Sequence, residues 1–290
     1  MFFLKVLSRL PLPILYIIGD FLFFIAYYVL KYRRDVVAKN LKDSFPEKSP
    51  KELAQIEKEY YRYLSDFLIE MIKEITFSKK ELQKRFVWKP CDDLKRVMDA
   101  GDSVILLAAH YINWEWGLLS LSVNLPFPLT VIYQKLSNKT FDKLVLDMRT
   151  RFGGEAVEKD TSMMSMLRSA RKQRAIVINA DQLPQRSAKS ERYWKDFLHR
   201  ETAFFTGADR MAKILKTPVF FLNIKRTQRG YYEMRSELLA EPPYTKTTTV
   251  IMDKYVEATE RQILRDPSPW LWSHKRWKYT REEVEPVDNN

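Results

Sequence analysis

The run Ser103-Val-Ile-Leu-Leu-Ala-Ala109, followed at once by His110-Tyr-Ile-Asn-Trp-Glu115, decides how this chain is read. Its apolar residues are continuous rather than alternating, which is the pattern of a strand covered on both faces. Strands of that kind sit in parallel sheets with helices packed above and below. The same alternation of elements continues downstream. Residues 114–123 read as helix, 129–133 as a second strand, and 138–152 as helix before Gly153-Gly154. Residues 161–172 are expected to be helical, and 174–180 (Arg-Ala-Ile-Val-Ile-Asn-Ala) form a third strand. Helix is expected again over 207–216, a fourth strand over 218–224 and a last long helix over 247–265. Residues 231–239 alternate and read as an antiparallel edge strand. The expected fold class is α/β, a mostly parallel central sheet flanked by helices.

Upstream the character changes. Residues 10–30, Leu-Pro-Leu-Pro-Ile-Leu-Tyr-Ile-Ile-Gly-Asp-Phe-Leu-Phe-Phe-Ile-Ala-Tyr-Tyr-Val-Leu, are about as long and apolar as a membrane-crossing helix, with Asp20 the sole charge inside. Lys5 and Arg9 precede the stretch, and Lys31, Arg33 and Arg34 follow it. No small-residue cleavage site follows, which argues against a signal peptide. The stretch reads as a membrane anchor, either spanning or lying in the interface. Helix is expected over 33–45, stopped by Pro46. Ser49-Pro50-Lys51-Glu52 is a capping box with proline at the first helical position, opening a long amphipathic helix to about Ile75. Ser78-Lys79-Lys80-Glu81 repeats the signal, and residues 92–98 form a short helix. The organisation expected is a membrane anchor over 1–34, a helical N-terminal region over 35–100 packed on the core, and an α/β catalytic core over 101–290.

Composition narrows the function. Hydrophobic residues are 46% of the 290 and aromatics 13%, ample for a folded core and unlike a disordered chain. Cys91 is the single cysteine, so no disulfide framework exists. The seven glycines form neither a dinucleotide fingerprint nor a phosphate-binding loop. With three histidines and no cysteine pair, no metal site and no bound cofactor are expected. Lys plus Arg exceed Asp plus Glu, 49 against 37, for a net charge of +12. That excess points to anionic partners, whether membrane surface, acidic protein or nucleic acid.

The chemistry-bearing pattern is His110-x4-Glu115. At a strand-to-helix corner the chain folds back, so the imidazole and the carboxylate can meet. The carboxylate would then fix the ring tautomer and leave the other nitrogen as a base. No serine or cysteine nucleophile is evident, so a hydroxyl of the substrate is expected to attack. Position strengthens this reading, because ligands of open α/β sheets bind beyond the carboxyl ends of strands. His110 lies at one such end and Asp181-Gln182 at another. Arg149 and Arg151 flank the apolar stripe of the helix over 138–152, and periodicity does not choose between them. Trp270, Trp272, His274, Arg276 and Trp277 crowd the C-terminal segment, which suits a membrane interface, base stacking or plain packing on the core.

Taken in order, His110–Glu115, Tyr133-Gln-Lys-Leu-Ser-Asn138, Arg149-Thr-Arg151-Phe-Gly153, Asp181-Gln182 and Pro269-Trp-Leu-Trp-Ser-His-Lys-Arg-Trp-Lys278 resemble the bacterial lipid A biosynthesis acyltransferases, relatives of the glycerol-phosphate acyltransferases. Asn40-Leu-Lys-Asp-Ser-Phe-Pro46 and the apolar N-terminus fit the same family. The resemblance implies a glycerol-phosphate-acyltransferase-like core with an N-terminal anchor at the inner membrane, its catalytic part on the cytoplasmic face. It implies transfer of a fatty acyl chain from acyl carrier protein to a hydroxyl of a lipid A precursor, in lipopolysaccharide biosynthesis. His110 and Glu115 carry over as the catalytic pair, with Arg149 favoured over Arg151. Arg149, Asp181, Asn138 and Arg151 are the implied substrate-binding positions. No nucleic-acid partner is expected on this reading. O- or N-acylation of another membrane lipid is the alternative. Gln134-Lys135 and the stretch Leu183–Ser190 depart from the family pattern, at places where the acceptor or acyl chain would be read.

Overall fold

The computed structural model describes residues 2–159, 173–186 and 192–285. The expected helix over 161–172 lies outside the described residues. The N-terminal part is helical: α1 (Phe2–Ser8), α2 (Leu12–Phe24) running into a π-helical turn (Ile25–Val29), α3 (Arg34–Ser44), α4 (Pro50–Glu74) and α5 (Lys79–Arg85). Then come β1 (Phe86–Lys89), α6 (Asp92–Asp99), β2 (Val104–Ala108), α7 (Trp114–Asn124), β3 (Leu129–Tyr133), α8 (Lys139–Arg149) and β4 (Glu155–Glu158). The rest comprises β5 (Ala175–Asn179), β6 (Arg192–Phe197), β7 (Arg200–Phe205), α9 (Gly207–Leu215), β8 (Val219–Gln228), β9 (Tyr231–Ala240), α10 (Val250–Arg265) and α11 (Arg281–Val284).

Seven strands form one sheet in the order β1-β9-β8-β2-β5-β3-β4. Every pairing is parallel except β8 with β9. All five residues of β2 are buried, as its unbroken apolar run requires of a strand with helices on both faces. β9 is antiparallel as expected, but it is not an edge: β1 pairs along it, Phe86 opposite Tyr232. Four residues are too few for β1 to announce itself by alternation.

β6 and β7 form a separate two-stranded hairpin. Its turn residues, Leu198 and His199, both hold positive φ (51° and 64°), where tight hairpin turns usually carry Asn or Gly. Context fixes this turn: the Leu198 amide donates to the Glu260 carboxylate at 2.6 Å, and Leu198 is buried. The capping box at α4 is present, with Ser49 accepting from the Glu52 amide and Glu52 accepting from the Ser49 amide.

Candidate active site

The register of two adjacent strands builds the site. β2 and β5 pair in parallel with Ala108 opposite Asn179. His110 and Asp181 each lie two residues beyond that rung, so the ends of the strands bring them face to face. The His110 ring Nδ1 meets Asp181 Oδ1 at 2.7 Å, and the His110 amide donates to Asp181 Oδ2 at 2.9 Å. Asp181 is 2% exposed. A buried carboxylate accepting from Nδ1–H sets the tautomer, leaving Nε2 with a free lone pair. That lone pair faces the Gln182 side-chain amide at 3.3 Å.

A third donor completes the carboxylate's surroundings. The Trp270 indole N–H donates to Asp181 Oδ2 at 2.9 Å. Burial alone would raise the Asp181 pKa, but the adjacent His110 and the hydrogen bonds from His110 and Trp270 outweigh it, holding the carboxyl below its usual range.

Trp270 belongs to a strap that crosses the His110 turn. The Ile112 amide donates to the Pro269 carbonyl at 2.9 Å and the Leu271 amide to the His110 carbonyl at 3.1 Å. Ile112, β-branched, sits at φ 47°, a conformation that costs about 1–3 kcal/mol and persists only where its surroundings impose it. Trp270 and Trp272 are 2% and 0% exposed, and Arg276 is fully buried. These side chains are core, so the interface and base-stacking readings of this segment are overturned. Asn40 of α3 fastens the strap from behind, donating to the Trp272 and His274 carbonyls at 2.9 and 3.1 Å. Burial lowers the His274 pKa to about 4, and its Nε2 accepts from the Leu183 amide.

Glu115 does not hold the imidazole, which corrects the expectation drawn from the His-x4-Glu spacing. Its carboxylate is occupied by Arg149, Nε to Oε2 at 2.9 Å and Nη2 to Oε1 at 2.5 Å, and by the Trp114 indole at 2.9 Å. A bidentate guanidinium is the stronger partner for a buried carboxylate, and Glu115 is 3% exposed. Burial raises the Glu115 pKa, but Arg149 and the Trp114 hydrogen bond overcome it and the net shift is downward. Behind the pair lies Glu74 of α4, fully buried, both carboxylate oxygens unbonded. Burial and the negative Glu115 push its pKa well above the usual range.

His110, Gln182 and Arg149 line a cavity of about 950 Å³ between the carboxyl ends of β3 and β5 and helices α8 and α9. Its wall includes Leu118, Val131, Val177, Val145 and Met211, and Gln134, Lys135 and Arg210 add polar groups. A chain of methylenes fits the apolar wall, and a base stands beside it. Two other expected site residues lie elsewhere. The Asn138 side chain caps α8, accepting from the amides of Thr140 and Phe141. Arg151 donates to the Glu74 carbonyl at 2.5 Å, away from the cavity lining. Among the described residues no cluster of three or more His, Cys, Asp and Glu side chains is placed to hold a metal.

An Asp-clamped imidazole at the carboxyl edge of a parallel sheet opens onto a cavity with an aliphatic wall and a polar, largely cationic remainder, an arrangement that can accept a proton beside a lipid-like group. Comparison with known proteins gives the family. The profile of the bacterial lipid A biosynthesis acyltransferases matches residues 1–279, and the chain belongs to that family. Among similar proteins is the lipid A biosynthesis palmitoleoyltransferase of Escherichia coli, 23% identical over 93% of this chain and 87% of its own length. The lauroyltransferase of the same organism is 22% identical over 96% of this chain and 89% of its own length. A lipid A biosynthesis acyltransferase of Haemophilus influenzae is 22% identical over 96% of this chain. The protein is an acyltransferase of lipid A biosynthesis.

Proposed function

We propose that the protein transfers a fatty acyl chain from acyl carrier protein to a hydroxyl of a lipid A precursor, with His110 as general base. His110 Nε2 takes the acceptor's proton, the hydroxyl displacing the Gln182 amide from that nitrogen. The alkoxide adds to the thioester carbonyl, giving a tetrahedral oxyanion. Collapse breaks the carbon–sulfur bond, and the carrier thiolate leaves with the proton held on the imidazolium. Asp181 keeps Nδ1–H directed inward and balances the imidazolium charge. General-base assistance contributes about 10²–10⁴-fold, and alignment of donor and acceptor in one cavity contributes much of the rest. Arg149, paired with Glu115, lines the cavity together with Lys135 and Arg210, cations that suit an anionic part of either substrate. The net charge of +12 suits an acidic carrier protein and an anionic membrane. It supports placement against the anionic cytoplasmic leaflet of the inner membrane.

The observation that carries the reading is the in-register His110–Asp181 pair opening onto a cavity that joins an aliphatic wall to cationic side chains. Mass spectrometry of lipid A from cells lacking this protein should show one acyl chain fewer, restored by the native chain and not by His110→Ala. Full restoration by His110→Ala would overturn the assignment.

A further inference from the structure

The apolar segment Leu12–Val29 has the length and composition of a membrane-crossing helix. Its contacts describe something else. The carbonyls of Ser8 and Leu10, just before it, accept from the Lys73 ammonium at 3.2 and 3.1 Å. Tyr16 donates to Glu70 at 2.5 Å. Gly19 lies so close to α4 that an added Cβ would meet Ile69 at 3.3 Å. Asp20 shares Arg229, from the β8–β9 turn, with Asp66 of α4, both contacts at 2.6 Å. Just after the segment, the Tyr32 carbonyl accepts from Tyr61, and Arg34 pairs with Glu57 at 2.5 Å. As the chain advances from 8 to 34, its partners on α4 descend from 73 to 57. The two helices lie antiparallel along their whole lengths.

A helix stitched in this way crosses a bilayer only if α4 crosses beside it. α4 carries charges from Lys51 to Glu74, and each would cost roughly 2.5–3.5 kcal/mol at the bilayer centre. It is also packed against α7 and the β8–β9 pair, with the Trp116 indole bonded to the Glu70 carbonyl and the Tyr232 hydroxyl to the Glu70 carboxylate. The face of α2 turned away from α4 is apolar and open: Ile17 and Phe21 are 69% and 63% exposed, with Ile14 and Phe24 on the same stripe. Phe3 extends that surface into α1. Exposed Lys5 and Arg9 stand at one end and Lys31 and Arg33 at the other.

The geometry points to an in-plane anchor. The segment lies along the surface of one leaflet, inserts its outer stripe to the depth of the headgroup–acyl boundary and never crosses. The occupant of this face is an anionic bilayer, matched by cations at both ends of an apolar stripe. The chain before α1 then lies on the same side of the membrane as the sheet and its cavity. This inference does not depend on His110 chemistry.

The test fuses an epitope and a site-specific protease sequence ahead of Met1, and a second cleavage site after Asn290, in the full chain. Membrane vesicles of both orientations are treated with protease before and after detergent. The in-plane anchor requires both sites to be cut to equal extents, without detergent, in the same vesicle orientation. Protection of the N-terminal site in the orientation that exposes the C-terminal site, lifted only by detergent, would overturn it. In a second measurement, Phe21→Ser with Ile17→Ser should lower partition of the purified protein onto anionic phospholipid vesicles at least tenfold while its melting temperature holds. Unchanged partition would remove the outer stripe from the binding surface.

Discussion

Asp181→Asn is the sharpest perturbation the site offers, because the substituted side chain cannot satisfy all its neighbours. Asp181 Oδ2 accepts from the His110 amide and the Trp270 indole, and Oδ1 faces His110 Nδ1. Asparagine has one acceptor oxygen. Directed at Nδ1, it leaves its amide nitrogen opposing two N–H donors. Directed at those donors, it keeps two hydrogen bonds and presents an N–H to Nδ1, which must then give up its proton. The second arrangement wins because it satisfies the two buried donors that the first strands, at about 1–2 kcal/mol each. Counted in full, the second arrangement makes three hydrogen bonds to the first's one, and a bias of roughly 2–4 kcal/mol is a factor of about 30 to 1,000 toward the tautomer with Nε2 protonated. Loss of the charge that balances the imidazolium adds further decades; a buried Asp-to-Asn change beside a catalytic histidine elsewhere lowers kcat by about 10⁴. The expected outcome is kcat down about 10³–10⁴ in acyl transfer from acyl carrier protein to a lipid A precursor. Thermal unfolding should move by only a few degrees, since two of three hydrogen bonds survive. Nitrogen chemical shifts of His110 should report the swapped tautomer. Retention of more than about a tenth of wild-type kcat would refute the claim that this carboxylate sets the base.

The other expectations concern what surrounds the dyad. Burial, and after it the negative Glu115, raises the Glu74 pKa; Glu115→Gln removes the second of these and leaves Arg149 to favour the Glu74 carboxylate, so the single change should cost about 1–3 kcal/mol in denaturant unfolding, and Glu74→Gln with Glu115→Gln about 3–5 kcal/mol, because the double change strands the buried guanidinium. Glu70 accepts from Tyr16, Asn113 and Tyr232, and burial lifts its pKa to about 7. Between its unfolded value near 4.5 and 7 the folded state binds the extra proton, so this group's contribution to stability falls as pH rises through that window. The stability of Glu70→Gln relative to wild type should therefore climb by roughly 3 kcal/mol from pH 4.5 to 8, and a flat difference by calorimetry would contradict the buried carboxyl. Asn40→Ala removes both bonds to the strap and should lower the melting temperature by about 2–5 °C, for a loss of about 1–2 kcal/mol.

Much of the sheet could be read from the chain because buried parallel strands announce themselves as unbroken apolar runs: β2 lies within the expected 103–109, and β3 was placed residue for residue. Helix starts were legible where a cap is chemical, as at Ser49 and Ser78. What local pattern could not supply was register. Spacing along one chain, all that a sequence displays, points His110 to Glu115, five residues away. The actual partner is 71 residues on, delivered by the pairing of β2 with β5. The clue was present, since His110 and Asp181 each follow an apolar strand, but only the strand order makes them neighbours. Asn138 illustrates the reverse error. A polar residue in a suggestive segment caps a helix, as polar residues at helix starts usually do. The β6–β7 hairpin escaped because its turn carries leucine and histidine where a turn signal needs glycine or asparagine.

The strap over the His110 turn carries a consequence for how this enzyme comes into being. Pro269, Trp270 and Leu271 follow every strand of the sheet in chain order, yet they clamp the turn that bears His110 and supply a donor to Asp181. During synthesis every strand of the sheet is made before the segment that completes the surroundings of His110 and Asp181. The His110–Asp181 pair is completed only when the trailing tryptophan docks, and a product cut short before residue 269 would lack that donor together with the core side chains of Trp270, Trp272 and Arg276.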